Sequence, residues 1–238
     1  MDFLDHKNGM NKDNFYFKAK TELIDKIIKD LNYKNRIKIL SVGCGLGEEI
    51  EALNKYGKVY IIDINKKALD LIPKKCYKQK KVMDARNLKF KDNYFDLICA
   101  LDVIEHIKED ELVVKEFKRV LKKKGNVIVT VPSFNSLYSS HDKALGHIKR
   151  YNKKEIEILF KDFTKYKITF WNSILFLPIS IIRIIKKHKI ETTENPDNFN
   201  FNKRINNILL KILRLENKAI EKNIKLPVGL TLLGIFKK

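Results

Sequence analysis

KILSVGCGLGEE, residues 38–49, is the stretch from which the fold of this chain is read. Residues 38–42 are a short apolar run with β-branched residues on either side of Leu40. The run stops at Gly43, Cys44, Gly45, Leu46 and Gly47, and the acidic pair Glu48 and Glu49 follows. That order predicts a buried strand, a glycine turn and a helix N-terminus. Glycines permit positive φ and, lacking Cβ, let a ligand lie against the backbone. The helix that follows aims free N–H groups and the positive end of its dipole at the turn. A nucleotide-like ligand is expected there.

Downstream of the turn, strands and helices alternate. A helix is predicted over residues 47–56 and a strand over 59–62, ending in Asp63. A short helix over 66–71 is stopped by Pro73, and a third strand near 81–83 ends in Asp84. Residues 95–101 (FDLICAL) are continuously apolar, as a strand covered on both faces requires. Residues 110–121 form an amphipathic helix, for which Lys122 to Lys124 and Gly125 read as a basic last turn and C-cap. Residues 126–131 are a fifth strand, stopped by Pro132. This alternation predicts an α/β fold with a mostly parallel sheet and helices on both faces.

The flanks are less regular. Residues 13–31 read as a helix with an apolar stripe of Leu23, Ile24, Ile27, Ile28 and Leu31. Ahead of it, Phe15, Tyr16 and Phe17 either pack that helix on the core or cover a ligand pocket. After Pro132 come a polar loop with two histidines (133–150), a helix (153–163) and a strand (165–171). Residues 173–189 (SILFLPISIIRIIKKHK) are intensely apolar, end basic and are interrupted by Pro178 and Arg183; they are too short for the roughly 20 residues of a membrane span. A polar linker (191–202), a basic amphipathic helix (204–222) and a closing edge strand (226–238) complete the chain. The expected organisation is one domain over 1–238. It comprises a helical lid (1–36), a ligand-binding core (37–171), a helical basic cap or membrane-interface insertion (172–225) and the closing strand (226–238).

The bulk numbers agree with a globular chain: 238 residues, 44% hydrophobic and 33% charged. Net charge is +20, read either as a lysine-rich compositional bias or as attraction to an anionic partner. Three cysteines without a CxxC pair indicate neither a zinc knuckle nor a disulfide framework. The five histidines show no paired metal spacing on one helix, so no metal is expected. With no signal-peptide pattern, a reducing cytoplasm is the expected location.

An open parallel sheet binds ligands outside the C-terminal ends of its strands. The glycine turn, Asp63 and Asp84 all fall at such ends. Asp63 lies about 20 residues beyond the turn, where a carboxylate meets a ribose diol. The turn reads Gly43-x-Gly45-x-Gly47 rather than G-x-G-x-x-G, with Glu48 where a dinucleotide fold needs a third glycine. A carboxylate there repels a pyrophosphate and tolerates an ammonium.

On these motifs the chain resembles the class I S-adenosylmethionine-dependent methyltransferases. VGCGLGE, YIIDIN, VMDARNLKF and FDLICALDVIEHI are similar to that family's successive motifs, and LKKKGNVIVTVP to the helix and strand that follow. NFYFKAK, GHIKRYNKKEIEILF and LPVGLTLLGIFKK resemble the flanks of a bacterial and archaeal subgroup, with Lys18 and Lys20 where arginines are usual. The resemblance implies a Rossmann-like seven-stranded sheet with its last strand antiparallel, and S-adenosyl-L-methionine as cofactor. Gly43, Cys44, Gly45 and Gly47 would adjoin the methionine part, Asp63 and Ile64 the ribose, and Asp84 and Ala85 the adenine. Leu101 and Asp102 would lie beside the sulfonium.

Methyl transfer from a sulfonium needs mainly a positioned nucleophile and the exclusion of water. A base is needed when the acceptor is a hydroxyl or a protonated amine. His106, just past the fourth strand, and His147, with Arg150 and Tyr151 in the loop over the same face, are the candidate catalytic residues. The bland alternatives are that Glu105 and His106 cap the next helix and that the His147 group packs a loop. Lys186, Lys187 and Lys189 after an apolar segment are the layout of a helix lying on an anionic membrane surface, or of a cap on the core. The expected acceptor is a small molecule or lipid-type molecule. Quinone-precursor methyltransferases combine such a core with membrane attachment, though no motif here singles out quinones. A nucleic-acid methyltransferase is less favoured, because strand four is followed by Leu101, Asp102, Val103 and Ile104 rather than an NPPY-type tetrapeptide. A non-catalytic cofactor-binding relic is the third reading.

Overall fold

The computed structural model describes residues 14–188 and 201–238, with side chains omitted for 185–188. Helix α1 spans Phe15–Asp30, β1 Ile37–Val42, α2 Ile50–Asn54, β2 Gly57–Asp63, α3 Lys66–Asp70 and β3 Gln79–Val82. Next come β4 (Phe95–Leu101), α4 (Asp110–Val120) and β5 (Leu121–Pro132). The chain continues through α5 (Ser140–Ala144), α6 (Lys153–Leu159), β6 (Thr164–Trp171), α7 (Phe176–His188), α8 (Lys203–Glu221) and β7 (Thr231–Lys237).

One seven-stranded sheet runs in the order β3-β2-β1-β4-β5-β7-β6. The first five strands are parallel, and β7 pairs antiparallel with both β5 and β6. Strand order reverses between β1 and β4, so the crevice outside their C-terminal ends is the topological switch point. The apolar runs of β1, β4 and β7 are buried nearly throughout because helices cover both sheet faces. On one face Phe95, Phe117, Tyr151 and Phe160 pack together; on the other Leu23, Ile24, Leu53, Trp171 and Leu213 do so.

Three expectations are corrected here. Residues 231–237 are not an edge strand: Leu232, Leu233, Ile235 and Phe236 are buried on both faces, so the segment inserts between β5 and β6. The real edges are β3, QKKV, and β6, which begins with exposed Thr164, Lys165 and Tyr166. Charge at both edges discourages pairing with another chain. Residues 122–125 are not a helix C-cap. Leu121 already pairs with Phe95 while Leu97 pairs with Asn126, so they bulge out of the ladder. Gly125 is required there because a Cβ would lie 3.0 Å from the Asp96 carbonyl oxygen. Pro178 does not break the apolar segment. It sits in the first turn of α7, where its missing N–H is not needed. The polar linker lies outside the described residues apart from Phe201 and Asn202.

Helix α8 ties the flanks to the sheet. Asn217 accepts from the Trp171 indole N–H (2.9 Å) and donates to the Ala19 carbonyl (2.8 Å). Glu216 accepts the backbone N–H groups of Ser173 and Ile174 ahead of α7, and Asn206 accepts from Phe15 N–H. A buried amide and carboxylate with these bonds satisfied hold α1 and α7 over the strand ends.

Candidate active site

A cavity of about 930 Å³ opens at the switch point. That is the upper end for small-ligand sites and leaves space for two molecules side by side. One half is built from strand ends. Gly43 (φ +59°) and Gly45 (φ +51°) adopt the left-handed conformation and line the wall. A Cβ on Gly43 would fall 2.6 Å from a Val103 methyl. Asp63 ends β2 and braces the turn: Oδ2 accepts Gly45 N–H at 2.9 Å and Oδ1 accepts Asn65 N–H at 2.7 Å. Ile64, 76% exposed, stands at the rim, and Asp84, Ala85 and Leu101 complete this half.

Two residues expected on the wall are elsewhere. Cys44 is buried among Leu69, Ile72 and other apolar side chains of the core, and burial pushes its thiol pKa up, so it serves as a neutral core group. Gly47 (φ +75°) faces Ile50 and Ile72, with a Cβ position 2.4 Å from the Ile50 Cδ1. It is the close-packing glycine that the reading of Glu48 supposed missing. Asp84 is on the wall but engaged by Arg86, whose guanidinium meets both its oxygens (3.1 and 2.7 Å) and lowers its pKa. Arg86 also pairs with Glu109.

At the centre lies Asp102, in the left-handed region at φ +56°. That conformation turns its carboxylate back toward β5 and α1. Thr130 Oγ1 donates to it at 2.8 Å, Tyr16 OH approaches at 3.4 Å, and the Lys20 ammonium forms an ion pair with it. Burial opposes the Asp102 charge, but Lys20 and Thr130 outweigh it and the pKa is lowered. Burial likewise opposes the Lys20 ammonium, yet Asp102 holds its pKa raised. Burial and the neighbouring carboxylate push Tyr16 up to about 12. Phe15, Tyr16 and Phe17 all line the cavity, so the aromatic opening packs the helix and covers the pocket at once.

The other half is formed by the 133–151 loop and by α7 and α8. His106 and His147 meet here with ring centroids 4.7 Å apart and planes at 80°. Neither Glu105 nor His106 caps α4, whose N-cap is Glu109. Glu105 instead lies fully buried against the cavity, its pKa raised first by burial and then by Asp102. Its carbonyl accepts Ile148 N–H, pinning the loop at 2.8 Å. Asp142 accepts from His147 Nδ1 (2.9 Å) and Arg150 Nε (2.8 Å). Tyr151 is turned away from the cavity and donates to Asp110, so within the expected loop cluster only His147 and Arg150 reach the wall. Arg183, read as an interruption of an apolar helix, is buried on the cavity side of α7. Thr130 had no local signal, and nothing local to Tyr16, Lys20 or Glu105 showed that they meet around Asp102 and the cavity: each gains its place from a contact tens of residues away.

Residues 40–129 match the model of a methyltransferase domain. An uncharacterized protein of Methanocaldococcus jannaschii is 32% identical over 68% of this chain and 69% of its own length. A ubiquinone biosynthesis O-methyltransferase of Pelagibacter ubique is 28% identical over 75% of this chain and 73% of that protein. A demethylmenaquinone methyltransferase of Staphylococcus aureus is 29% identical over 56% of this chain and 63% of that protein. Among solved structures, a SAM-dependent methyltransferase from Archaeoglobus fulgidus superposes with TM-score 0.59 at 20% identity, covering 94% of this chain and 99% of that one. Phosphoethanolamine N-methyltransferase 2 of Haemonchus contortus, in complex with S-adenosyl-L-methionine, does so with TM-score 0.60 at 19% identity, covering 91% of this chain and 52% of that one. The strand-end half fits that cofactor. Its glycine backbone is bare at Gly43 and Gly45, each Asp63 oxygen keeps a lone pair for a ribose hydroxyl, and Ile64 offers an apolar face at the rim. The chain belongs to the class I S-adenosylmethionine-dependent methyltransferases, with S-adenosyl-L-methionine as its cofactor.

Proposed function

We propose that this methyltransferase modifies an oxygen or nitrogen nucleophile, or a carbon one, on a small-molecule or lipid-type acceptor. The observation that carries the reading is the second half of the cavity. Its walls include Ile107, Leu175, Ile179, Ile182 and Leu209, an apolar chamber beside a few polar groups, as suits a largely hydrophobic ligand. The cofactor supplies an activated methyl group. The residues of the chain bind and orient: Gly43, Gly45 and Asp63 hold the cofactor side, and Asp102, fixed by Lys20 and Thr130, marks the junction of the two halves. Phe15, Tyr16 and Phe17 exclude water. His106 and His147 stand where an acceptor proton would be held or removed.

Attachment to an anionic membrane surface fits the same geometry. One side of α7 and the turn before it roofs the chamber, while Ile174, Leu177, Ile181 and Ile184 are 54%, 68%, 56% and 47% exposed. Lysines 186, 187 and 189 follow in sequence. Such a face inserts at a headgroup boundary with its basic end against anionic lipid. Among the described residues no helix is long and apolar enough to cross a membrane. The names of the Pelagibacter and Staphylococcus relatives, for ubiquinone biosynthesis and demethylmenaquinone, support a lipid-type acceptor as the first to try. Transfer of tritiated methyl from the cofactor into fractionated cell material tests the reading: label is expected in the lipid or small-molecule fraction. Label confined to RNA or protein would overturn it.

A further inference from the structure

Glu105, His106 and His147 form a cluster that cofactor binding does not use. Each offers one ligand atom, and these atoms all lie within 4.8 Å of one another. His147 Nε2 is 4.0 Å from Glu105 Oε1. This is too far for a hydrogen bond. It is close to the roughly 3–4 Å between ligand atoms that share one cation at bonds of about 2.1 Å. Glu105 is completely inaccessible, and neither of its carboxylate oxygens has a hydrogen-bond partner among the described residues. Buried acceptors are rarely left so. An unsatisfied carboxylate at the cavity wall, with two imidazoles beside it, asks for a positive ligand.

The surroundings of the histidines point the same way. His147 Nδ1 contacts Asp142 Oδ1 at 2.9 Å, and Asp142 is itself held by Arg150 Nε and by the N–H of Ser139. With the Nδ1 proton donated to that carboxylate, the ring's lone pair falls on Nε2, the atom nearer Glu105. His106 Nδ1 lies 3.3 Å from the Gly146 carbonyl oxygen. A carbonyl only accepts, so this Nδ1 also carries the proton and the neutral ring's lone pair is on Nε2. Imidazoles oriented through Nδ1 by a carboxylate or a carbonyl are the usual support of metal-ligating histidines.

We propose that Glu105, His106 and His147 bind one divalent cation, which holds and acidifies an oxygen of the methyl acceptor. Two imidazoles and a carboxylate favour a borderline ion such as Co²⁺ or Zn²⁺ over Ca²⁺. Three protein ligands leave positions open for the acceptor. The role in catalysis rests on the methyltransferase reading, because the cluster lies on the same wall as Asp102 and begins three residues after it. An acceptor hydroxyl bound to the cation loses its proton to solvent near neutral pH. The oxygen then forms its bond to the methyl carbon as the carbon–sulfur bond breaks, both electrons of that bond going to sulfur. The cation keeps its oxidation state throughout.

The test uses the full chain, stripped with a chelator and titrated with Co²⁺ alone while visible absorption is followed. One saturable equivalent per chain is expected. Glu105→Gln and His147→Ala should each weaken it at least tenfold while retaining the far-ultraviolet dichroism of the parent. Binding without saturation near one equivalent, or equal binding by both variants, overturns the proposal. Should the variants fail to fold, the parent decides: Co²⁺ must raise its melting temperature in a concentration-dependent way, and no rise overturns the site. Calorimetry with S-adenosyl-L-methionine on the same stripped protein separates the two readings. Cofactor binding without metal binding removes the cation alone, and metal binding without cofactor binding removes the methyltransferase assignment alone.

Discussion

The two halves of the cavity are made in different ways. The cofactor half is a run of strand ends: Gly43 and Gly45 follow β1, Asp63 ends β2, Asp84 lies just past β3 and Asp102 follows β4, and parallel pairing sets them side by side. The acceptor half is assembled from α1, the 133–151 loop, α7 and α8, elements far apart in sequence. Asn206, Glu216 and Asn217 gather those elements through side-chain bonds to the backbone of residues near positions 15, 19 and 173. The first half repeats a local pattern. The second depends on long-range polar contacts, each of which a substitution can remove separately.

The largest expected effect falls where the halves meet. Asp102→Asn keeps a residue type that tolerates positive φ but leaves the Lys20 ammonium without its partner. Its side chain is 10% exposed. A loss of about 3 kcal/mol is expected in urea unfolding, the lower end for breaking a buried ion pair. A change near zero would mean that α1 is not held through this pair. The pH dependence has a definite sign. The Asp102 carboxyl is held below its usual range, so its contribution is complete above about pH 4 and is lost as pH falls through the folded value. The variant's stability should therefore decline less steeply than the parent's on the acid side.

Within the cofactor half, Gly47 and Asp63 can be set against each other. Gly47→Ala drives a methyl into Ile50 at a positive φ and should cost about 1–3 kcal/mol of stability. Its effect on calorimetric affinity for S-adenosyl-L-methionine should be small. Asp63→Ala should do the reverse, weakening cofactor affinity by about 1–3 kcal/mol through lost charged hydrogen bonds. Normal affinity in that variant would remove Asp63 from the ribose. The smallest effect concerns the outer face of α7. Leu177→Ser and Ile181→Ser should each reduce co-sedimentation with anionic vesicles by about 1 kcal/mol, a fraction of what full burial of such side chains gives. Unchanged pelleting of the double variant would argue that this face meets something other than lipid.

Legibility differed along the same line. FDLICAL, KILSVG and YIID could be read because continuous apolar runs between turn residues have few alternatives to buried parallel strands. LKKKG could not: a strand that bulges by several residues looks like a basic helix end. The position of residues 231–237 inside the sheet was equally hidden, since an apolar run does not say how many neighbours it has. Spacing on a single helix predicted no metal cluster, yet His106 and His147, forty-one positions apart, stand ring against ring.

From its sequence alone this protein determined the parallel core, the glycine turn, the carboxylates at the strand ends and the cofactor those features serve. All of these follow from periodicity and residue type over short spans. Only the tertiary structure decided that Gly47 packs closely against Ile50, that Lys20 reaches Asp102, and that a buried Glu105 shares its corner with two histidines. These depend on which distant side chains a common cavity brings within a few ångströms, and burial rather than residue type then sets their charge and partners.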